Sequence, residues 1–328
     1  MTESVRTTTA TASGKVILCG EHAVVYGHPA IAVPVQQVRA TATVTAGPPG
    51  AGCVLRALDL GQEIRLAEAP EDDPLALILR LALAELGLAQ EPDWTVTVHS
   101  QIPMASGLGS GAAVSTALVR ALFRHAGRVP EPATVSRLVF RTEELHHGTP
   151  SGIDNTVIAY ERPVWFVRGQ PPETFTPAQP FTLAIADSGI PSPTRETVGD
   201  VRRAWQADPA RYEALFQAIG QVVVAARRAL ETGDMAELGR LFRRNQALLR
   251  ELGVSSEPLE RLVAAAEEAG ALGAKLSGGG RGGNVIALVT PETEEAVGQA
   301  LRRAGARQVI VTRYRPSTAN TQQSTARG

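Results

Sequence analysis

One segment constrains this chain more than any other: Pro103-Met104-Ala105-Ser106-Gly107-Leu108-Gly109-Ser110-Gly111-Ala112-Ala113, which must turn sharply between a strand and a helix. Upstream, Trp94 to His99 alternates like a strand with one wet face. Downstream, Ala112 to Phe123 is an apolar helical run. Gly107, Gly109 and Gly111 let the backbone turn tightly and expose several N–H groups. The helix behind them adds unpaired donors and the positive end of its dipole. Together these make a cradle for a polyphosphate. A plain strand-to-helix connection with no ligand stands beside that reading. Gly107-x-Gly109-x-x-Ala112 also fits the dinucleotide fingerprint, but seven residues separate His99 from Gly107, too many for that turn. The Walker pattern G-x-x-x-x-G-K-[ST] does not occur.

At 328 residues the chain is long for one core, and two lobes are expected. The composition divides accordingly. Val16 to Cys19 reads as a buried strand ended by Gly20, and Ala30 to Val35 and Val38 to Thr45 as two further strands. Asp73-Pro74 opens a helix carrying Leu75, Leu79, Leu83 and Leu86. Another helix is expected from Pro132 to His146, and strands at Val164 to Val167 and Phe181 to Ala186. Beyond Pro193 long helical segments reach Gly270, broken at Gly233-Asp234 and Gly253. Strand-like Val285 to Val289, a helix from Glu292 to Ala304 and strand-like Gln308 to Thr312 close the second half. The expected fold class is α+β, with lobes 1–185 and 186–315 and a disordered tail over 316–328.

A formal net charge of −1 gives no support for a nucleic-acid or membrane-surface partner, so any basic site is local. Arg far outnumbers Lys, which makes a Lys inside a motif informative. Cys19 and Cys53 make no disulfide framework. No run approaches the ~20 apolar residues of a membrane span, and the N-terminus lacks a secretory pattern. A cytoplasmic location is expected.

Three more segments carry chemistry. Lys15 and Gly20-Glu21-His22 flank the first strand, and alone they read as solvated loop residues. His146 to Asn155 packs two His, an Asp and an Asn around Gly and Pro. Adjacent His side chains diverge and no Cys is near, so zinc is disfavoured. Asp154 suits acid/base or charge-positioning work. Glu143, upstream on the helix, is a hard oxygen ligand for Mg²⁺, or else a solvated carboxylate. Lys275 to Asn284 holds five glycines in six positions, 278 to 283, between two apolar runs. That favours close approach of backbone to a ligand or to the other lobe.

In this order the four segments resemble the GHMP small-molecule kinases. Lys15 to Gly27 is similar to an N-terminal signature of that family, Gly107 to Ser110 to its ATP loop, His147 to Asn155 to its catalytic-Asp segment, and Ser277 to Gly283 to its third motif. The resemblance implies a ribosomal-S5-domain-2-like N-terminal lobe and a ferredoxin-like C-terminal lobe with added helices. It implies phosphoryl transfer from ATP with Mg²⁺, and mevalonate as the acceptor. Asp154 and Lys15 would be the catalytic pair. Pro103, Ser106, Gly107, Leu108, Gly109, Ser110, Gly111 and Ala112 would hold ATP, and Ser110 and Glu143 the metal. Glu21, His22, Thr194, Arg195, Gly279 and Gly280 would join Lys15 and Asp154 around the acceptor. A homodimer is an expectation of the resemblance alone.

Two positions depart from the family pattern. Gly111 stands where a second, metal-binding Ser is usual, and Arg281 where a small residue is usual. Other acceptors (galactose, homoserine, phosphomevalonate), a decarboxylase on the same scaffold and a binding-only relative are the competing functions.

Overall fold

A computed structural model describes residues 6–88, 91–103, 106–147 and 150–316, without the side chains of 146 and 147. Of the tail expected over 316–328, positions from 317 onward lie outside the described residues, as do the side chains of the pair at 146 and 147 weighed for zinc.

The first lobe runs β1 (Thr8–Cys19), β2 (Ala30–Ala46), β3 (Val54–Ala57), β4 (Gln62–Arg65), α1 (Pro74–Glu85), β5 (Trp94–Ser100), α2 (Ser110–His125), α3 (Pro132–His147), α4 (Ile153–Tyr160), β6 (Val164–Phe166) and β7 (Glu173–Thr174). Its sheet has the order β4-β3-β5-β2-β6-β7, with β1 alongside β2. The pairs are antiparallel except β3 with β5. Helices α2 and α4 pack on this sheet, α2 most extensively on β1 and β2, and α1 and α3 pack against α2. Lys15 to Cys19 are all buried, which explains the unbroken apolar run there: β1 is covered by α2 and by the second lobe.

The two strands expected at Ala30–Val35 and Val38–Thr45 are one. β2 is continuous, and exposed Gln36 and Gln37 mark a bulge at which Ser13 faces Arg39 while Gly14 faces Val35. On its other side β2 changes partner, pairing with β6 at Ala30–Ala32 and with β5 at Ala40–Ala46. At the bulge the Lys15 amide bonds the Leu108 carbonyl at 3.0 Å, so the first strand is stitched directly to the glycine loop.

The second lobe comprises β8 (Phe181–Asp187), α5 (Thr194–Ala207), α6 (Pro209–Thr232), α7 (Met235–Glu251), α8 (Glu257–Glu268), β9 (Gly273–Ser277), β10 (Asn284–Val289), α9 (Glu294–Arg303) and β11 (Gln308–Tyr314). Its antiparallel sheet has the order β11-β8-β10-β9. A boundary at 185 cuts through β8. Every residue of that strand pairs with β10 or β11, so sheet pairing puts the division ahead of Phe181. Asp73 caps α1 through Ala76 N, and Asp234 caps α7 through Glu237 N. Asp208-Pro209 supplies a further break, between α5 and α6, with Asp208 capping α6.

Candidate active site

Lys15 is 3% exposed, yet its ammonium meets the Asp154 carboxylate at 2.9 Å. Two glycines make this possible. Gly109 ends the loop at φ 75°, and a Cβ there would lie 3.1 Å from Lys15 Cγ and 2.8 Å from Ile158 Cδ1. The backbone of the glycine loop therefore rests on the lysine stem. Gly152, at φ 90°, admits the chain into α4 against Phe140 and Phe166. Asp154 falls in the first turn of α4, where the helix dipole favours a carboxylate.

Glu143 reaches the same place from α3. Its carboxyl is pushed up to about 7, first by burial, then by the charge of Asp154, with Lys15 opposing. A Cβ on Gly111 would lie 3.7 Å from Glu143 Oε1, so the glycine at the usual Ser position faces this carboxylate. The Ser110 hydroxyl, at the first position of α2, makes a long contact of 3.4 Å to the Ile102 carbonyl. Two carboxylates sharing one lysine, beside a helix N-terminus, fit a divalent cation: hard oxygen ligands are present, and a cation would relieve the charge that burial opposes. Among the described residues no group of three or more His, Cys, Asp or Glu is placed to hold a metal ion.

Leu108 and Ala112 are both buried. Pro103 O accepts from the Ser106 hydroxyl at 2.8 Å, closing the turn ahead of Gly107.

The second lobe forms the facing wall. His22, at φ 62°, donates from Nε2 to the Gly279 carbonyl at 3.0 Å. Burial holds its imidazole down to about 4, so it is neutral and keeps that donor. A Cβ on Gly279 would sit 2.4 Å from the Thr194 hydroxyl and one on Gly280 2.1 Å from the Val254 carbonyl, so both glycines are demanded by close approach. Ser192 donates to the Gly280 carbonyl at 3.0 Å, and Thr194 and Arg195 open α5 beside this turn, both exposed. Arg281 ion-pairs with Asp200 of α5, which Arg203 also contacts, and so Arg281 ties the glycine turn to α5.

Glu21, expected at the acceptor pocket, packs where the two lobes meet. It is 1% exposed; one oxygen pairs with the fully buried Lys275 and the other accepts from Asn245 at 3.1 Å. The carboxylate is committed to the seam between the lobes. Ser277 adds a second tie, accepting from Ile17 N at 3.1 Å and donating to Ile17 O at 2.9 Å.

Sequence comparison assigns the family. The GHMP kinases N terminal domain family matches residues 75–162 and the GHMP kinases C terminal family 226–307. A mevalonate kinase of Thermococcus gammatolerans is 35% identical over 324 residues, covering 92% of this chain and 94% of that protein. This chain belongs to the mevalonate kinase family. A second relative, the mevalonate kinase of Aeropyrum pernix, is 35% identical over 292 residues and covers 86% of this chain and 89% of its own. Among solved structures, the Leishmania major mevalonate kinase in complex with R-mevalonate superposes with a TM-score of 0.83 at 29% identity, covering 97% of this chain and 99% of its own. The two-lobed α+β fold expected of a GHMP kinase is the one found.

Lys275, Asn245 and Asn284 are buried in the contacts between the lobes without having been singled out as site residues. One signal was available. Lysine occurs only at 15 and 275 in the whole sequence, and both are buried in ion pairs.

Proposed function

We propose that this chain transfers the γ-phosphoryl group of ATP to the 5-hydroxyl of (R)-mevalonate, giving 5-phosphomevalonate and ADP. The observation that carries the proposal is the Lys15–Asp154 pair at 2.9 Å, set directly beneath the glycine loop. The family relationship supports the substrate pair, and the mevalonate bound in the Leishmania major enzyme supports the acceptor.

The chemistry asks mainly for positioning and charge neutralisation. Asp154 would accept the acceptor's hydroxyl proton as a hydrogen bond and hold the oxygen in line with the γ-phosphorus. Lys15 would stabilise the charge that develops on that oxygen. The N–H groups of Gly107 to Gly111 and the start of α2 would receive the phosphates. Glu143 and Ser110 would hold Mg²⁺, which supplies charge neutralisation on the phosphates when bound. His22, Thr194, Arg195, Gly279 and Gly280 would shape the acceptor side, with Arg195 the basic group available to the acceptor's carboxylate. No helix among the described residues is long and apolar enough to cross a membrane.

A panel of mevalonate, phosphomevalonate, galactose and homoserine, each with Mg-ATP and coupled ADP detection, tests the proposal. ADP release confined to mevalonate is expected. Preference for another acceptor, or carbon dioxide release with a phosphorylated acid, overturns it.

A further inference from the structure

Asn284 opens β10, the strand that follows the five-glycine turn of the second lobe. It is 1% exposed. Its side-chain amide Nδ2 crosses to the first lobe and donates to the carbonyl oxygen of Ser106. Gly283 lies against the same carbonyl, since a Cβ there would be 3.4 Å from Ser106 O, and a Cβ on Gly107 would be 3.8 Å from Asn284 Nδ2. The other amide atom, Oδ1, is buried with no hydrogen-bond partner. An amide buried with one end unpaired costs free energy, so its single bond to Ser106 is retained against a penalty.

The consequence follows from the planarity of the peptide bond. In a trans peptide the C=O and the N–H of the next residue point in opposite directions. Asn284 draws the Ser106 carbonyl toward the second lobe, so the Gly107 N–H must point the other way. Gly107 sits at φ 82°, a conformation glycine alone adopts freely. Rotation of the 106–107 peptide is therefore the motion open to this loop. A rotated peptide would replace a donor in the cradle with a carbonyl oxygen, which repels phosphate.

We infer that Asn284 is a positioning residue for the nucleotide: it fixes the Ser106–Gly107 peptide so that the Gly107 N–H faces the phosphates. The inference rests on the glycine loop being the ATP cradle. It also gives the five-glycine turn a task, because the turn delivers β10 close enough to the loop for one side chain to span the lobes.

Two variants test it. Asn284→Asp keeps shape but replaces the donor with an acceptor facing a carbonyl. Asn284→Ala removes the donor and serves if the aspartate variant fails to fold. Titration with a non-hydrolysable ATP analogue should show binding weakened about tenfold in the alanine variant, the value of one lost hydrogen bond, and more in the aspartate variant. KM for the acceptor should stay within twofold of wild type while KM for ATP rises. Wild-type nucleotide affinity in either folded variant, whatever its melting temperature, overturns the inference, as does an equal rise in both KM values. Failure of wild-type protein to bind the analogue would instead refute the loop as the ATP cradle.

Discussion

Lysine at only two positions, among 32 basic Lys and Arg residues, is a choice with a physical reading. Arg brings five donors in a planar fork, and a buried site must satisfy them; Lys is a compact point charge on a thin stem. Lys15 threads beneath Gly109 to Asp154, and Lys275 lies fully buried against Glu21. A buried pair broken on one side leaves an uncompensated charge. Lys275→Met should therefore cost roughly 3–5 kcal/mol of stability, and adding Glu21→Gln should recover most of it. Urea denaturation of the two variants measures this; a single-variant loss below about 1 kcal/mol would contradict a buried Glu21. His22 gives a pH dependence with a definite sign. Its imidazole is held to about 4 by burial, against 6.5 unperturbed, so the unfolded chain binds the extra proton between those values. Stability from His22 is complete above pH 6.5 and is lost as pH falls toward 4. Relative to wild type, His22→Gln should lose this part of the acid sensitivity in melting curves taken across pH 4 to 7. Identical acid sensitivity would show that His22 is not held neutral.

Among the elements, α7 and β9 illustrate packing that overrides propensity. Gly239 stands inside a helix, where Ala would be better by about 1 kcal/mol. A Cβ there would meet the Leu272 carbonyl at 2.3 Å, and one on Gly273 would meet the Gly239 carbonyl at 2.0 Å. The contact brings Asn245 of α7 and Lys275 of β9 to the same carboxylate. Overpacking of backbone costs roughly 1–3 kcal/mol. Gly239→Ala is thus expected to destabilise despite its propensity, and an unchanged urea midpoint would contradict the close approach. Two capped elements were legible in advance, Asp73-Pro74 opening α1 and Asp234 at the break before α7, whereas the Asp208-Pro209 cap of α6 was not read. The elements missed were short or locally disguised. α4 has eight residues behind a glycine and reads as a loop. β3 and β4 have four residues each and carry charged residues. β9 hides a lysine inside a fully buried strand, where a polar residue signals a loop until its partner is known.

Over the whole molecule, the candidate site is tied together at the seam. Lys15, the glycine loop, Glu143 and Asp154 come from the first lobe, but second-lobe residues fasten each end: Ser277 to Ile17, Lys275 to Glu21, Gly279 to His22 and Asn284 to Ser106. Residue types and their order along the chain pointed to the Lys15–Asp154 pair and the loop. They could not reveal the seam, because partners such as Glu21 and Lys275 lie 254 positions apart and meet only after both sheets form. The chemistry proposed at this seam is tested most directly by ADP release from Mg-ATP and mevalonate, comparing wild type with Asp154→Asn while titrating nucleotide binding in parallel. Turnover in the variant should fall at least 10²- to 10³-fold, roughly the cost of removing one preorganised polar group from a transition state, with ATP affinity retained. Near-normal turnover in Asp154→Asn would contradict the account.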